Sequence, residues 1–197
     1  MFYCGRQPFH CCRLAQLASL IYYKDMIALQ ILDIKKFMSA FLIGSLFDRY
    51  ALIEAQITTF CTFSIDGRME KLFYENRTGD AAEDEEDDGA PLQYVPFEQL
   101  RPYCLSVIKG KHTPLFFKFV FFYPKEELPA FVKTAAPQTD PDLISGLCLN
   151  LRFDGSTLTL TTGTSMKVFT TDRTIDRAWD EKVRQLLISQ NILVSEV

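Results

Sequence analysis

Two segments of the chain alternate apolar and polar residues, and each contains an Asp-Gly pair. Alternation with a period of two places the apolar side chains of a strand on one face. An Asp-Gly pair supplies the positive φ angles of a tight hairpin turn, so the chain is expected to return antiparallel after Asp66-Gly67 and after Asp154-Gly155. These two hairpins restrict the fold to one that contains an antiparallel sheet.

The strands of both hairpins can be assigned from the pattern. In "EAQITTFCTFSIDGRMEKLFY", the positions from Ile57 to Ile65 form one strand, and residues 68–74 are expected to return. In the second hairpin, residues 147–153 alternate, "STLTLTT" returns, Gly163 breaks the strand and "SMKVFTT" runs out again. The aromatic run "TPLFFKFVFFYP" is typical of a strand that is buried on both faces.

Apolar residues at helical spacing predict the longer helices. Asp33 is expected to cap the first helix, directly after a short edge strand at residues 27–32. The second helix covers residues 97–108 and ends with Gly110 as a left-handed cap. The final helix is expected to begin near Thr174, and its apolar face, which includes Trp179, is expected to pack against the core. The alternation of these elements predicts a single α+β domain, in which a mainly antiparallel, twisted sheet of about six strands carries helices mostly on one face.

The domain is expected to occupy residues 26–197. Residues 1–25 lack helix caps and a clear period, and we interpret them as an extraneous or disordered leader, with translation beginning at Met26. The leader lacks the small-residue cleavage site of a secretory signal. Its cysteines and histidine also lack the spacing of zinc ligands. The run "EDEEDD" predicts a disordered acidic loop at about residues 76–91, without the spacing of a calcium loop.

Composition and charge exclude several classes of function. Outside the leader and the six acids at residues 83–88, cations and acids are equal in number. A neutral body offers no cationic surface to a phosphate backbone, so no nucleic-acid partner is expected. No apolar run approaches the ~20 residues of a membrane-spanning helix, so no membrane partner is expected. Cys61, Cys104 and Cys148 stand singly in apolar settings, which indicates buried thiols in a reducing cytoplasm.

Two polar turns are the candidates for ligand contact. In "VIKGKHTPLFFKF", Lys109, Lys111 and His112 follow a helix C-terminus, where the helix dipole favours cations without any ligand. Alternatively, the two lysines bind a phosphate group and His112 relays a proton. The second turn, "TTGTSMK", would add further ligand contacts, although it lacks the spacing of a phosphate-binding loop. Its candidate residues are Thr164, Ser165 and Lys167.

No other pattern points to specific chemistry. A nucleophile elbow, a nucleotide loop and metal-ligand spacing are all missing from the sequence, so no catalytic residue, cofactor or metal is predicted. Asp176 and Asp180 share a face of the final helix, and burial of both would raise the pKa of one carboxyl. Solvent-exposed helix acids are the more common situation.

Four segments, in this order, carry a resemblance to a known family: "MIALQILDIKKFM", "TTFCTFSIDGRMEKLFY", "IKGKHTPLFFKF" and "TLTTGTSMKVFTTDRTIDRAWDEKV". Over about Met26 to Leu187, the chain resembles a family of short bacterial proteins that is classed as a domain of unknown function. The resemblance implies a shared fold, that of short cytosolic α+β proteins, and it brings no catalytic residues. The leader lies outside it.

These observations favour a small, non-catalytic, cytoplasmic binding or accessory domain. Its aromatic strand and its Thr-rich strand face would suit a protein or peptide partner. The alternative is an enzyme or sensor that acts on a phosphorylated small molecule through the Lys109-Lys111-His112 turn and the Thr164-Ser165-Lys167 turn. That alternative requires both turns to lie at the same end of the sheet.

Overall fold

The computed structural model of the protein describes residues 27–70, 73 and 94–197. Within these residues, one domain contains seven strands and four α-helices. The strands are β1 (Ala28–Ile31), β2 (Ala51–Thr58), β3 (Thr62–Asp66), β4 (Phe116–Phe122), β5 (Ile144–Phe153), β6 (Leu158–Met166) and β7 (Val194–Glu196). The helices are α1 (Ile34–Leu42), α2 (Phe97–Ile108), α3 (Leu128–Ala135) and α4 (Thr174–Ser189). The predicted leader and acidic loop lie outside the described residues.

All seven strands belong to one antiparallel sheet, in the order β3-β2-β4-β5-β6-β1-β7. The predicted α+β class, the single domain and the antiparallel sheet are therefore confirmed. The sheet has seven strands rather than about six, because β7 pairs with β1. The predicted edge position of β1 is accordingly wrong. Strand β7 has three residues, too few for a period, so only its pairing with β1 makes it a strand.

One face of the sheet, here called the inner face, forms the core with side chains from all four helices. Phe117, Phe119 and Phe121 alternate along β4 and are buried on this face. The ring of Phe41 in α1 lies 5.1 Å from that of Phe119, and the ring of Phe97 in α2 lies 5.1 Å from that of Phe121. Burying each such side chain contributes ~1.5–3 kcal/mol, so this aromatic layer holds the first two helices against β4.

The helix signals of the sequence correspond to observed contacts. The carboxylate of Asp33 accepts a hydrogen bond from the Lys36 backbone N–H at 3.0 Å, which confirms the predicted cap of α1. In α4, Trp179 is fully buried, and its indole N–H donates to the Cys148 carbonyl oxygen at 2.9 Å. The predicted core face of the final helix is therefore confirmed.

The second predicted hairpin is confirmed, and the first is wrong. At the second, Gly155 has a φ of 96° and the Asp154 carboxylate accepts from the Thr157 backbone N–H at 2.8 Å. At the first, the turn lies at residues 59–61, so β3 is itself the returning strand and ends at Asp66. Its sequence "TFC" carries no Gly, Pro or Asn, so the apolar–polar alternation continues through the turn and gives no sign of it.

Gly67 is needed for a close approach rather than for a turn. A Cβ atom added to Gly67 would lie 1.8 Å from the Leu52 carbonyl oxygen. The N–H of Gly67 donates to the Ile53 carbonyl at 3.0 Å, and its own carbonyl accepts from the Val95 N–H at 2.8 Å. Only a residue without a side chain lets these backbones meet.

Three further predictions are wrong for local reasons. Strand β4 is buried on one face only, because its alternate residues are partly exposed. Strand β6 continues through Gly163, which pairs with Cys148 of β5, so the predicted break and the third strand of the meander do not form. Gly110 does not adopt a left-handed conformation; α2 ends at Ile108, and the backbone of the next residue, Lys109, is already extended.

Candidate functional site

The first predicted turn lies at one end of the sheet. Lys109, Lys111 and His112 are exposed in the connection between α2 and β4. This connection lies beside the β5–β6 hairpin, because a Cβ atom added to Gly155 would be 3.2 Å from the Leu115 carbonyl oxygen. The cations at this end therefore face solvent after a helix C-terminus, where the dipole favours them.

The second predicted turn lies at the opposite end. Thr164 and Ser165 pair with the first residues of β5, and the Lys167 N–H donates to the Leu143 carbonyl at 2.8 Å. The seven residues of β4 separate the two ends, which corresponds to roughly 20 Å. In addition, the Thr164 hydroxyl is buried and has no hydrogen-bond partner among the described residues. The two turns are thus not brought together, and they form no shared pocket.

The face of the sheet opposite the helices, here called the outer face, carries a mixture of polar and aromatic side chains. No helix of the described residues packs on it, since the buried side chains of all four helices belong to the inner-face core. The central part of the outer face includes Glu54, Gln56 and Thr58 of β2, Phe116, Lys118, Val120 and Phe122 of β4, Cys148, Asn150 and Arg152 of β5, and Thr159 and Thr161 of β6.

The outer face has an apolar centre and a polar surround. Strand β4 lies near the middle of the sheet and contributes the aromatic side chains, which are partly exposed. The Arg152 guanidinium lies 5.7 Å from the centre of the Phe116 ring. The Lys118 ammonium lies 3.4 Å from a carboxylate oxygen of Glu54. Charges on this face are therefore few and partly paired, and none forms a cationic stripe.

A second candidate surface is a polar groove of about 380 Å³ beside α4. Four charged residues of its lining lie along α4 and a fifth, Arg173, directly precedes the helix; their spacings of one, three and four place them in one stripe. The edge formed by β1 and β7 completes the groove. The lining residues are Ile27, Arg173, Asp176, Arg177, Asp180, Arg184 and Glu196.

Thr162 connects the core to this groove. Among the described residues it is the one polar residue in the buried core, with 1% of its surface exposed. Its hydroxyl accepts from the Ile27 backbone N–H at 3.3 Å and donates to the carboxylate of Asp180. Burial raises the pKa of the Asp180 carboxyl and the negative charge of Asp176 raises it further, while the hydrogen bond from Thr162 opposes both. Asp176 and Asp180 are both partly buried, whereas exposed acids are the more common situation on a helix.

Two of the three described cysteines are buried and offer little reactivity. Burial raises the pKa of the Cys104 and Cys148 thiols to about 12, so both stay protonated at neutral pH. Cys61 is exposed in the β2–β3 turn, and its predicted burial is wrong. Within residues 27–70 and 94–197, no group of three His, Cys, Asp or Glu side chains could hold a metal ion. No described helix is long and apolar enough to cross a membrane.

Comparison with known proteins gives one match. The family of unknown function DUF5721 matches residues 40–195, about four fifths of the chain. The chain belongs to this family. The predicted resemblance to a domain of unknown function is therefore confirmed. No curated protein and no solved structure matches the chain.

The sequence analysis did not predict the groove beside α4, apart from the pair Asp176 and Asp180. The charged stripe of α4 could have been found, because its residues recur at helical spacing beside the predicted pair Asp176 and Asp180. Thr162 and Glu196 could not, since they come from β6 and β7 and reach the groove only through strand pairing with β1.

Proposed function

We propose that the protein is a non-catalytic binding or accessory domain of the cytoplasm, and that its outer face holds a protein or peptide partner. One observation carries this proposal: the sheet face without a described helix has partly exposed aromatic residues at its centre. The solvated face of an antiparallel sheet is normally polar throughout. An aromatic stripe in such a face favours contact with a partner.

The composition of the outer face supports a protein partner. Protein interfaces combine an aromatic or apolar centre, a polar rim and an enrichment in arginine. The outer face has this arrangement, with the Phe116–Phe122 stripe at the centre, Thr, Gln and Asn around it, and Arg152 against Phe116. Seven strands span roughly 30 Å, and a strand length of roughly 20 Å gives a flat area of roughly 600 Å². This is somewhat less than the ~800 Å² per partner of a standard interface and corresponds to the smaller, transient class.

Other ligands have less support. Lys118 is paired with Glu54, so the outer face offers no row of free cations to a nucleic acid. A phosphorylated small molecule would need the two polar turns in one pocket, and they lie at opposite ends of the sheet. The free thiols of Cys104 and Cys148 suit a reducing compartment, which is the basis for placing the domain in the cytoplasm.

Photo-crosslinking in cells tests the proposal. A photoreactive amino acid is placed in the full chain at Gln56 or Thr161 on the outer face, and at Glu98 or Lys133 on the exposed surface of the helices. We expect crosslinks to a defined protein from the outer-face positions and none from the helix positions. The added substitution Val120→Arg should abolish these crosslinks, because a charge at the centre of the interface resists desolvation.

A matched control separates binding from folding. Ile188→Arg introduces the same charge at an exposed apolar position of α4, and it should leave the crosslinks intact. Equal crosslinking from both surfaces, or crosslinks that survive Val120→Arg, would contradict the proposed role of the outer face. Both variants are first compared with the wild type by thermal unfolding.

A further inference from the structure

The groove beside α4 carries balanced charges, most of which are already paired. Arg173 lies 3.3 Å from Asp176, and Arg184 lies 2.7 Å from Glu196. These two ion pairs are explained as structural contacts along and across the groove. One cation and one acid that line the groove belong to neither of these ion pairs.

The remaining cation is Arg177, and the remaining acid is Asp180. Among the described residues, the side chain of Arg177 makes no hydrogen bond and no ion pair within 4 Å, and its charge acts only at longer range on the exposed carboxylate of Asp172. Asp180 is half-buried and is held by the Thr162 hydroxyl, without an ion pair to a described arginine. The charge of Arg184 lowers the pKa of the Asp180 carboxyl, but Arg184 forms its direct ion pair with Glu196. A positively charged ligand group in direct contact with this partly buried carboxylate would therefore stabilise it.

The two groups are placed to contact neighbouring atoms of one ligand. Residues three apart on a helix have Cβ atoms about 5–6 Å apart, and Arg177 and Asp180 both line the groove. Arg177 is exposed at the rim, whereas Asp180 reaches the buried Thr162. The groove volume of about 380 Å³ lies within the range of small-molecule sites, roughly 300–1,000 Å³.

We propose that this groove binds a small zwitterion of the amino-acid class, whose ammonium group contacts Asp180 and whose carboxylate contacts Arg177. The ammonium donates hydrogen bonds to the Asp180 carboxylate, while the guanidinium binds the ligand carboxylate through two parallel N–H donors. The ammonium and carboxylate groups of such a ligand are bonded to the same carbon atom, which suits two side chains three residues apart on one helix. The site is separate from the outer face and does not depend on the proposed protein partner.

Three matched probes test the proposal by NMR titration of the full isotope-labelled chain. L-alanine carries both charges, propionate lacks the ammonium and ethylamine lacks the carboxylate. We expect L-alanine to shift the amide signals of Thr162 and Asp180, and to bind at least about tenfold more tightly than either singly charged probe. Equal binding of all three probes, or no shift of groove signals by L-alanine, would overturn the proposal.

Two substitutions then assign the contacts. Asp180→Asn should reduce the affinity for L-alanine to that for propionate, and it keeps an oxygen for the Thr162 hydroxyl. Arg177→Gln should reduce it to the affinity for ethylamine. The control variants Glu181→Gln and Lys133→Gln remove exposed charges outside the groove and should change neither affinity. If the groove variants bind L-alanine as the wild type does while their amide spectra show a native fold, the assignment of the site is wrong.

Discussion

Replacing Gly67 by alanine should destabilise the protein strongly, although the residue looks like an ordinary turn glycine in the sequence. The added Cβ atom would lie 1.8 Å from the Leu52 carbonyl oxygen and 2.6 Å from its carbonyl carbon. Non-bonded atoms in a packed core are about 3.5–4.0 Å apart. The backbones at Gly67 and Leu52 must therefore move apart by at least roughly 1 Å for the alanine side chain to fit.

The cost of this separation can be worked from the contacts at Gly67. Overpacking a rigid site costs ~1–3 kcal/mol. Separation also strains the hydrogen bonds of Gly67 with Ile53 and Val95, at 3.0 and 2.8 Å, and loss of one such bond adds ~0.5–1.5 kcal/mol. The sum, roughly 1.5–4.5 kcal/mol, lowers the melting temperature by roughly 3–18 °C for a domain of this size.

Urea unfolding followed by circular dichroism measures the change in the free energy of unfolding. Gly110→Ala is the matched control, because the nearest atoms to its added Cβ lie at 3.8 and 4.0 Å. We expect that control to stay within about 0.5 kcal/mol of the wild type. If the two alanine variants are equally stable, the close approach of Gly67 to Leu52 is refuted, and Gly67 is only a turn residue.

Three further predictions concern other contacts. Trp179→Ala should cost ~3–5 kcal/mol, whereas Trp179→Phe should cost ~1–3 kcal/mol by leaving the Cys148 carbonyl without its donor; equal losses in urea unfolding would contradict a role for that hydrogen bond. Arg101→Ala should cost ~1.5–3 kcal/mol, because Arg101 binds the Asp48 carboxylate at 2.9 and 3.1 Å; a loss that Arg101→Lys fully restores would argue against this two-point contact. The pKa of Asp180 is raised in the folded protein, so the protonated carboxyl stabilises the fold at pH values below the pKa of an unfolded Asp. This stabilisation is lost as the pH rises through the pKa of Asp180 in the folded protein. Asp180→Asn should therefore gain stability relative to the wild type over that rise, measured by thermal unfolding against pH, and the opposite trend would show that burial does not dominate.

The elements that sequence reasoning predicted well depend on neighbours along the chain. Asp33 caps α1 through the N–H three residues later, and the turn at Asp154-Gly155 closes through Thr157. The stripe that includes Trp179 repeats with the period of the helix itself. Contacts over so few residues are encoded in local spacing, so the sequence predicts them without knowledge of the fold.

Other features depended on which distant strands meet. Asp66-Gly67 is the same dipeptide as Asp154-Gly155. Gly67 is nevertheless required by the close approach of the Leu52 backbone in the neighbouring strand, and the hairpin turn lies at residues 59–61. The short strand β7 exists only through its ladder with β1. A local pattern states which residues suit a turn or a strand, but steric conflict with a distant backbone decides which of them forms one.

By itself, the sequence determined the class of the fold, the antiparallel sheet and the absence of a recognisable catalytic motif, since these follow from period, turn chemistry and composition. Only the tertiary structure decided that the two polar turns lie at opposite ends of β4, and that Thr162, Ile27 and Asp180 meet beside α4. The reason is physical: sheet order and strand direction arise from pairings between distant segments, and each pairing depends on burial across the whole core rather than on the spacing of nearby residues.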